Sequence, residues 1–278
     1  MHSKQAIASE LRGACLEIEE KVVGWKDRQI SEEWAIANSL RHAHTIRSIL
    51  RHVEQRGLKS VRILNASGLA CGHQDVSIVG YLRDKVSVHW TVFESPTSPY
   101  LSNDTLKKKI TELNIQLNLC DFATAEELYG HEDYDIVLFT EVAEHLEHGA
   151  LLRALKSIEA RLAVGGMLIL TTPNLASIGS RWSLLKGNGD LGYWGDGQAN
   201  CEKRLWGHIV YYDLRRLARI LSDAGLSISG SFTFWYKPDC KNVKTTLMYL
   251  FSFVVPNSKQ TLFIEASKAS ATPIPFQI

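Results

Sequence analysis

Hydrophobic positions change their spacing near residue 60, and that change divides the chain. Over residues 31–56, Ile36, Leu40, Ala43, Ile46, Leu50 and Val53 recur at steps of three and four, the period of an amphipathic helix. Ser31 suits its N-cap, Glu32 and Glu33 suit the positive end of the helix dipole, and Gly57 suits a left-handed stop. Residues 5–23 predict an earlier helix, so residues 1–57 read as an N-terminal helical segment. From residue 61, short apolar runs alternate with helical patterns. Strands are expected at 61–66, 86–93, 115–119, 134–139, 167–171, 226–233 and 261–266. Helices are expected at 74–82 and 105–113, through Leu151, Leu155, Ile158 and Leu162 to a stop at Gly165, and from an Asp213 cap to Gly225. Strand–helix alternation means parallel pairing. The fold class is α/β, a doubly wound, mostly parallel, seven-stranded Rossmann-like sheet spanning residues 58–268, with residues 269–278 a loose tail.

Two stretches break the rhythm. Residues 175–210 are Gly-rich and carry Trp182, Tyr193, Trp194 and Trp206. A loop this long is usually functional, and its aromatics argue against disorder, so it reads as a substrate lid; the plainer alternative is an insertion that covers core. The second stretch, residues 243–255, is the most apolar in the chain, with Leu247, Leu250, Phe251 and Val254 on one helical stripe. Core or homodimer packing is its default, and peripheral docking on a membrane to reach a lipid-linked acceptor is the alternative. Lys241 and Lys244 are the positive charges near it. It is shorter than the roughly 20 residues that a transmembrane helix takes.

Composition narrows the classes. Of 278 residues, 45% are hydrophobic and 22% charged, which excludes disorder. Lys and Arg number 31 against 30 Asp and Glu, so nothing electrostatic asks for nucleic acid. The five cysteines, Cys15, Cys71, Cys120, Cys201 and Cys240, form no CxxC pair and fit neither a disulfide framework nor a zinc ribbon. They read as thiols in a reducing compartment. No apolar run of signal length opens the chain, and the expected location is the cytoplasm.

In an open α/β sheet, ligands bind at the carboxyl ends of the strands, so strand tips carry the functional reading. The first strand runs into ILNASGLACGH, where Gly68 and Gly72 bracket a turn that lets a ligand approach the backbone. Glu94 ends the second strand and Asp121 follows the third. A carboxylate at the first place can accept from ribose hydroxyls, and one at the second from an adenine amino group. Either alone is as well read as a solvated loop acid; two in succession after a glycine turn point to an adenosine cofactor. After the fourth strand, Glu141, Glu144, His145 and His148 are spaced to share a helix face, where carboxylates and imidazoles hold a divalent metal or supply a base.

The segments YDIVLFTEVAEHL, RLAVGGMLILTTPN and HIVYYDLRRLARILSDAGL, with the glycine turn, resemble class I S-adenosylmethionine-dependent methyltransferases over roughly residues 60–236. The usual acid ending the first strand is Asn65 here, and the usual GxGxG is reduced to Gly68 and Gly72. The resemblance implies a sulfonium cofactor, S-adenosylmethionine, with Asn65, Gly68 and Gly72 on its methionine side, Glu94 on the ribose and Asp121 on the adenine edge. Thr140 and Glu141 would line its substrate side. EVAEH also resembles the Glu-x-x-Glu-His of ubiquinone-biosynthesis O-methyltransferases and small-RNA 2′-O-methyltransferases. That branch implies a metal such as Mg²⁺ on Glu141, Glu144, His145 and His208; without metal, His145 or His208 would be the general base, beside Glu141. The reading is O-methylation of a small-molecule, sugar or lipid-linked hydroxyl. Its rivals are RNA 2′-O-methylation and a non-catalytic binding subunit of the same fold.

Overall fold

The computed structural model describes residues 3–24, 26–69, 72–120, 133–187, 208, 210–235 and 243–269. The chain divides into two compact units, Met1–Leu138 with Arg161–Met167, and Phe139–Ala160 with Leu168–Ile278.

The first unit opens with α1 (Lys4–Ile18), capped by Ser3, whose hydroxyl accepts from Ala6 N. Ile7, Leu11, Cys15 and Ile18 form its buried face. A five-residue π-helix, Glu19–Val23, follows. Helix α2 (Arg28–Arg56) starts earlier than its apolar period suggests. Asp27 is the N-cap, accepting from Gln29 N at 2.8 Å, so Ser31 lies buried in the first turn and is not the cap. Gly57 ends the helix in the left-handed region, as expected. The buried face is also rotated from the predicted stripe: Ile36 is exposed, whereas Asn38, His42, Thr45 and His52 are buried. The cause is a polar cluster. Asn38 donates to Glu19 Oε1 at 2.9 Å, and Glu19, itself buried, lies 3.0 Å from His73 Nε2. Buried polar groups are held by such pairing, which hydrophobic periodicity does not register.

The sheet order is β3-β2-β1-β4-β5-β7-β6. The strands are β1 (Ser60–Asn65), β2 (Ser87–Glu94), β3 (Gln116–Leu119), β4 (Tyr134–Thr140), β5 (Leu162–Pro173), β6 (Leu226–Phe234) and β7 (Thr261–Lys268). β1 pairs in parallel with β2 and β4, and β2 with β3. β7 is antiparallel to both β5 and β6. The expected doubly wound, mostly parallel, seven-stranded sheet is thus the fold, closed by one antiparallel hairpin. Helices α3 (His73–Leu82) and α4 (Asp104–Glu112) belong to the first unit, and α5 (His148–Arg161) to the second except for its last residue. Helix α5 ends before Gly165, which sits within β5 at φ 75° rather than stopping the helix.

In the second unit, α6 (Ile178–Leu185) occupies the start of the expected lid. Helix α7 (Leu214–Asp223) has the predicted Asp213 cap, which accepts from Arg216 N at 2.8 Å. Helix α8 (Val243–Phe251) lies between β6 and β7 in the chain. Among the described residues no helix is long and apolar enough to cross a membrane.

Candidate functional site

The first unit carries the glycine turn. Asn65 ends β1 fully buried, and its amide knits the turn together. Nδ2 donates to Gly68 O at 3.0 Å and to Asp75 Oδ1 at 2.8 Å, while Oδ1 accepts from Ser67 N at 2.9 Å. Gly68 and Gly72 both have left-handed φ, 76° and 81°, which other residues adopt only at a cost. A Cβ on Gly68 would stand 3.4 Å from Glu94 Oε2, and one on Gly72 would collide with Leu106 of α4. Glu94, at the tip of β2, turns its carboxylate onto this loop. Oε2 accepts from Leu69 N at 2.5 Å and Oε1 from Ser95 N at 2.8 Å. Cys120 N donates to Glu94 O at 2.9 Å and so fixes the end of β3 beside that of β2. Asp121 lies outside the described residues.

Beneath the turn, Asp75 is fully buried in the first turn of α3. Its Oδ1 accepts from Asn65 and, at 2.7 Å, from Trp90 Nε1; its Oδ2 makes no hydrogen bond. Burial pushes the Asp75 carboxyl up to about 7, against the pull of those two hydrogen bonds. A buried acid thus lies against the end of β1, supplied by the first turn of α3.

The second unit carries the Glu/His group, and not on one helix face. Glu141 has φ 56°, a conformation rare for a residue with a side chain; residues 143–145 form one 3₁₀ turn; and His148 starts α5, exposed. Backbone strain of this kind concentrates at functional sites. The β5 tip TTPN organises the group. Glu141 N donates to Thr171 O, and Thr171 Oγ1 donates to Glu141 Oε1, both at 2.8 Å. Thr172 Oγ1 donates to Glu144 Oε2 at 2.8 Å. Asn174 Nδ2 donates to Asn257 O and Lys259 O and ties down the strand exit. Thr140, at the end of β4, is buried.

Glu144 is buried, and its Oε1 lies 4.0 Å from His208 Nε2. The His145 and His208 rings meet edge-on with centroids 5.0 Å apart. Burial, and secondarily the neighbouring His145, pushes His208 down to about 4, so at neutral pH it is uncharged. One donor atom from each of Glu144, His145 and His208 lies within 4.8 Å of the others; Glu141 stands outside this set. Two imidazoles and one carboxylate make a nitrogen-rich set, unlike the all-oxygen octahedron Mg²⁺ prefers. The set does not fit the Mg²⁺ that the resemblance implied.

Residues 112–229 match a family model described as a methyltransferase domain. Solved structures agree on the fold. Magnesium protoporphyrin IX methyltransferase (ChlM) from Synechocystis PCC 6803, with bound SAH, is 14% identical with a TM-score of 0.52, covering 96% of this chain and 100% of that one. The CcbJ methyltransferase from Streptomyces caelestis is 14% identical at 0.52, covering 81% and 90%. LepI in complex with SAM is 10% identical at 0.52, covering 78% of this chain and 46% of that chain. The chain spans about half the length of the first structures it matches, one of which is a pericyclic reaction enzyme. No curated protein matches the sequence.

The matched methyltransferase domain starts after β2, so it holds the Glu/His group but not the glycine turn. Of the expected lid aromatics, Trp182 lies on α6, partly exposed, with Lys186 Nζ 5.4 Å from its ring centre. Tyr193, Trp194 and Trp206 lie outside the described residues. Sequence reading missed Asp75, Trp90, Thr171 and Thr172 as members of the site. The threonines stood in plain view in TTPN, yet their partners Glu141 and Glu144 become visible only when β4 and β5 are laid in one sheet.

Proposed function

We propose that this chain is an S-adenosylmethionine-dependent O-methyltransferase acting on a hydroxyl of a small molecule. The observation that carries the proposal is the imidazole pair His145/His208, held beside buried Glu144, which Thr172 anchors at the end of β5. The first unit would serve the cofactor, through the left-handed Gly68–Gly72 turn and the Glu94 and Asp121 carboxylates. When bound, the cofactor supplies a methyl group already activated by its positive sulfur; the acceptor oxygen takes it as the carbon–sulfur bond breaks. The second unit would serve the acceptor. A base pushed down to about 4 takes up little proton at neutral pH, so His208 orients the hydroxyl as a neutral hydrogen-bonding group and His145 receives its proton. Glu141, whose carboxylate Thr171 fixes, would line the cofactor's substrate side. The expected lid, residues 175–210, would shut out water. A metal on Glu144, His145 and His208 would instead polarise the hydroxyl, and a chelator separates the two: turnover that survives chelation excludes the metal.

The test is titration calorimetry with S-adenosylmethionine and its demethylated product, then transfer of labelled methyl to a panel of hydroxyl acceptors. Binding of both, with turnover that falls at least 100-fold in His145→Ala while binding holds, is expected. No binding of either compound overturns the reading. One observation favours a second reading, a non-catalytic member of this fold: both Glu94 oxygens are engaged by the loop itself. That reading predicts no turnover with any acceptor and a weak cofactor affinity that Glu94→Gln leaves unchanged.

A further inference from the structure

Helix α8 is inverted: its more apolar face points to solvent. The inward side is built from Met248, Tyr249 and Ser252. Met248 packs against Gly179 of α6, Tyr249 lies 5.4 Å from the Trp235 ring, and Ser252 Oγ accepts from Trp235 Nε1 at 2.7 Å. The outward side carries Val243, Leu247, Leu250 and Phe251, at steps of four, three and one, and Val254 follows in the turn beyond the helix. Val243 and Val254 are 78% and 75% exposed. Helix α6 extends the surface with Trp182, Leu184 and Leu185, the last 81% exposed, and the turn after α8 adds Phe253. Large aliphatic tips grouped in this way cost free energy in water and mark an interaction surface.

Charge selects the occupant. Residues 175–187 and 243–260 contain Arg181, Lys186, Lys244 and Lys259 and not one Asp or Glu, in a chain whose net charge is only +1. Lys186 Nζ lies over the Trp182 ring, and Lys259 Nζ lies 4.7 Å from the centre of Phe253. Positive charges set directly among exposed apolar rings combine the two features that an anionic lipid surface recognises. A short helix with bulky apolar residues outward and a rim of one sign lies in the plane of a negatively charged bilayer surface and does not cross it.

We propose that the α6–α8 face docks on an anionic membrane surface. Helix α6 begins at Ile178, a few residues past the end of β5, the strand that bears Thr171 and Thr172. Docking there suits an amphiphilic acceptor, a hydroxyl on a lipid-linked molecule; this extension rests on the proposed methyl transfer, whereas docking itself does not.

The experiment is flotation of the full chain with vesicles of phosphatidylcholine alone or with about 30% phosphatidylglycerol, at low and high salt. Flotation with the anionic vesicles, weakened by salt, is expected. The double variant Leu250→Glu/Val254→Glu should lower partitioning about tenfold or more while still binding S-adenosylhomocysteine. Lys186→Ala/Lys259→Ala should lower it by about tenfold at low salt only. In case the glutamate variant does not fold, brominated acyl chains give a second readout: quenching of fluorescence in the parent that Trp182→Phe removes. Three outcomes overturn the proposal: no flotation, flotation indifferent to both double variants, or a dimer in sedimentation that Leu250→Glu/Val254→Glu dissolves, which assigns the face to a second copy. A chain that floats but binds neither S-adenosylmethionine nor its product keeps the docking surface and loses the methyl-transfer reading.

Discussion

Asp75 shows how a single buried group tunes its neighbourhood. With a folded value of about 7 against about 4 for a free aspartate, its carboxyl keeps a proton in the folded chain over a range where the unfolded chain has lost it. The sign follows: Asp75 favours the folded state fully below about pH 4, and that advantage is lost as pH rises through 7. Asp75→Asn imitates the protonated form, since Oδ1 keeps its bonds from Asn65 and Trp90. The variant should match the parent near pH 4 and exceed it by about 1–3 kcal/mol at pH 8 in urea unfolding. A difference that does not grow with pH would refute the assignment. None of this was legible in the sequence. Asp75 looks there like an ordinary first-turn acid, and only the close approach of Asn65 and Trp90 reveals it as a support of the glycine turn.

Elements differ in how openly their sequences declare them. Helix α7 was readable because Asp213, the apolar steps and Gly225 all agree. Helix α2 was misread at its start and on its face because Asn38, His42 and Thr45, polar by composition, are buried, Asn38 by its bond to Glu19. The 141–148 stretch has helical spacing, yet the chain bends at Glu141 to hand its carboxylate to Thr171, and a tertiary bond overrides the local period. The turn into α3 yields a prediction at this scale. Gly72→Ala must bear both a left-handed φ and a clash with Leu106, whereas Gly24, at φ 78°, has open space around it. In thermal unfolding, Gly24→Ala should cost about 1 kcal/mol and Gly72→Ala more than 2. Equal costs would show that Leu106 yields without effort.

For the whole molecule, strand number and parallel character followed from the alternation of patterns, but strand order did not. Nothing within Thr261–Lys268 announces that the last strand inserts beside β5, because an antiparallel neighbour and a parallel one bury the same residues. Ligand linkage offers a test at this scale. S-adenosylhomocysteine at 100 times its Kd should stabilise the chain by about 2.7 kcal/mol, raising Tm by roughly 5 °C or more. A Tm that stays fixed at saturating ligand would contradict cofactor binding by the folded state.

The bond between Asn65 and Asp75 also limits how this sequence can drift. Restoring the family's usual acid by Asn65→Asp alone would place two carboxylates about 2.8 Å apart, and one would have to stay protonated. Asp75→Asn does not remove that conflict, because the oxygen it keeps towards Trp90 Nε1 would face the new carboxylate, and Gly68 O would lose its donor. The drift is therefore blocked in either order, and Asn65→Asp should be damaging both alone and in the Asp75→Asn background.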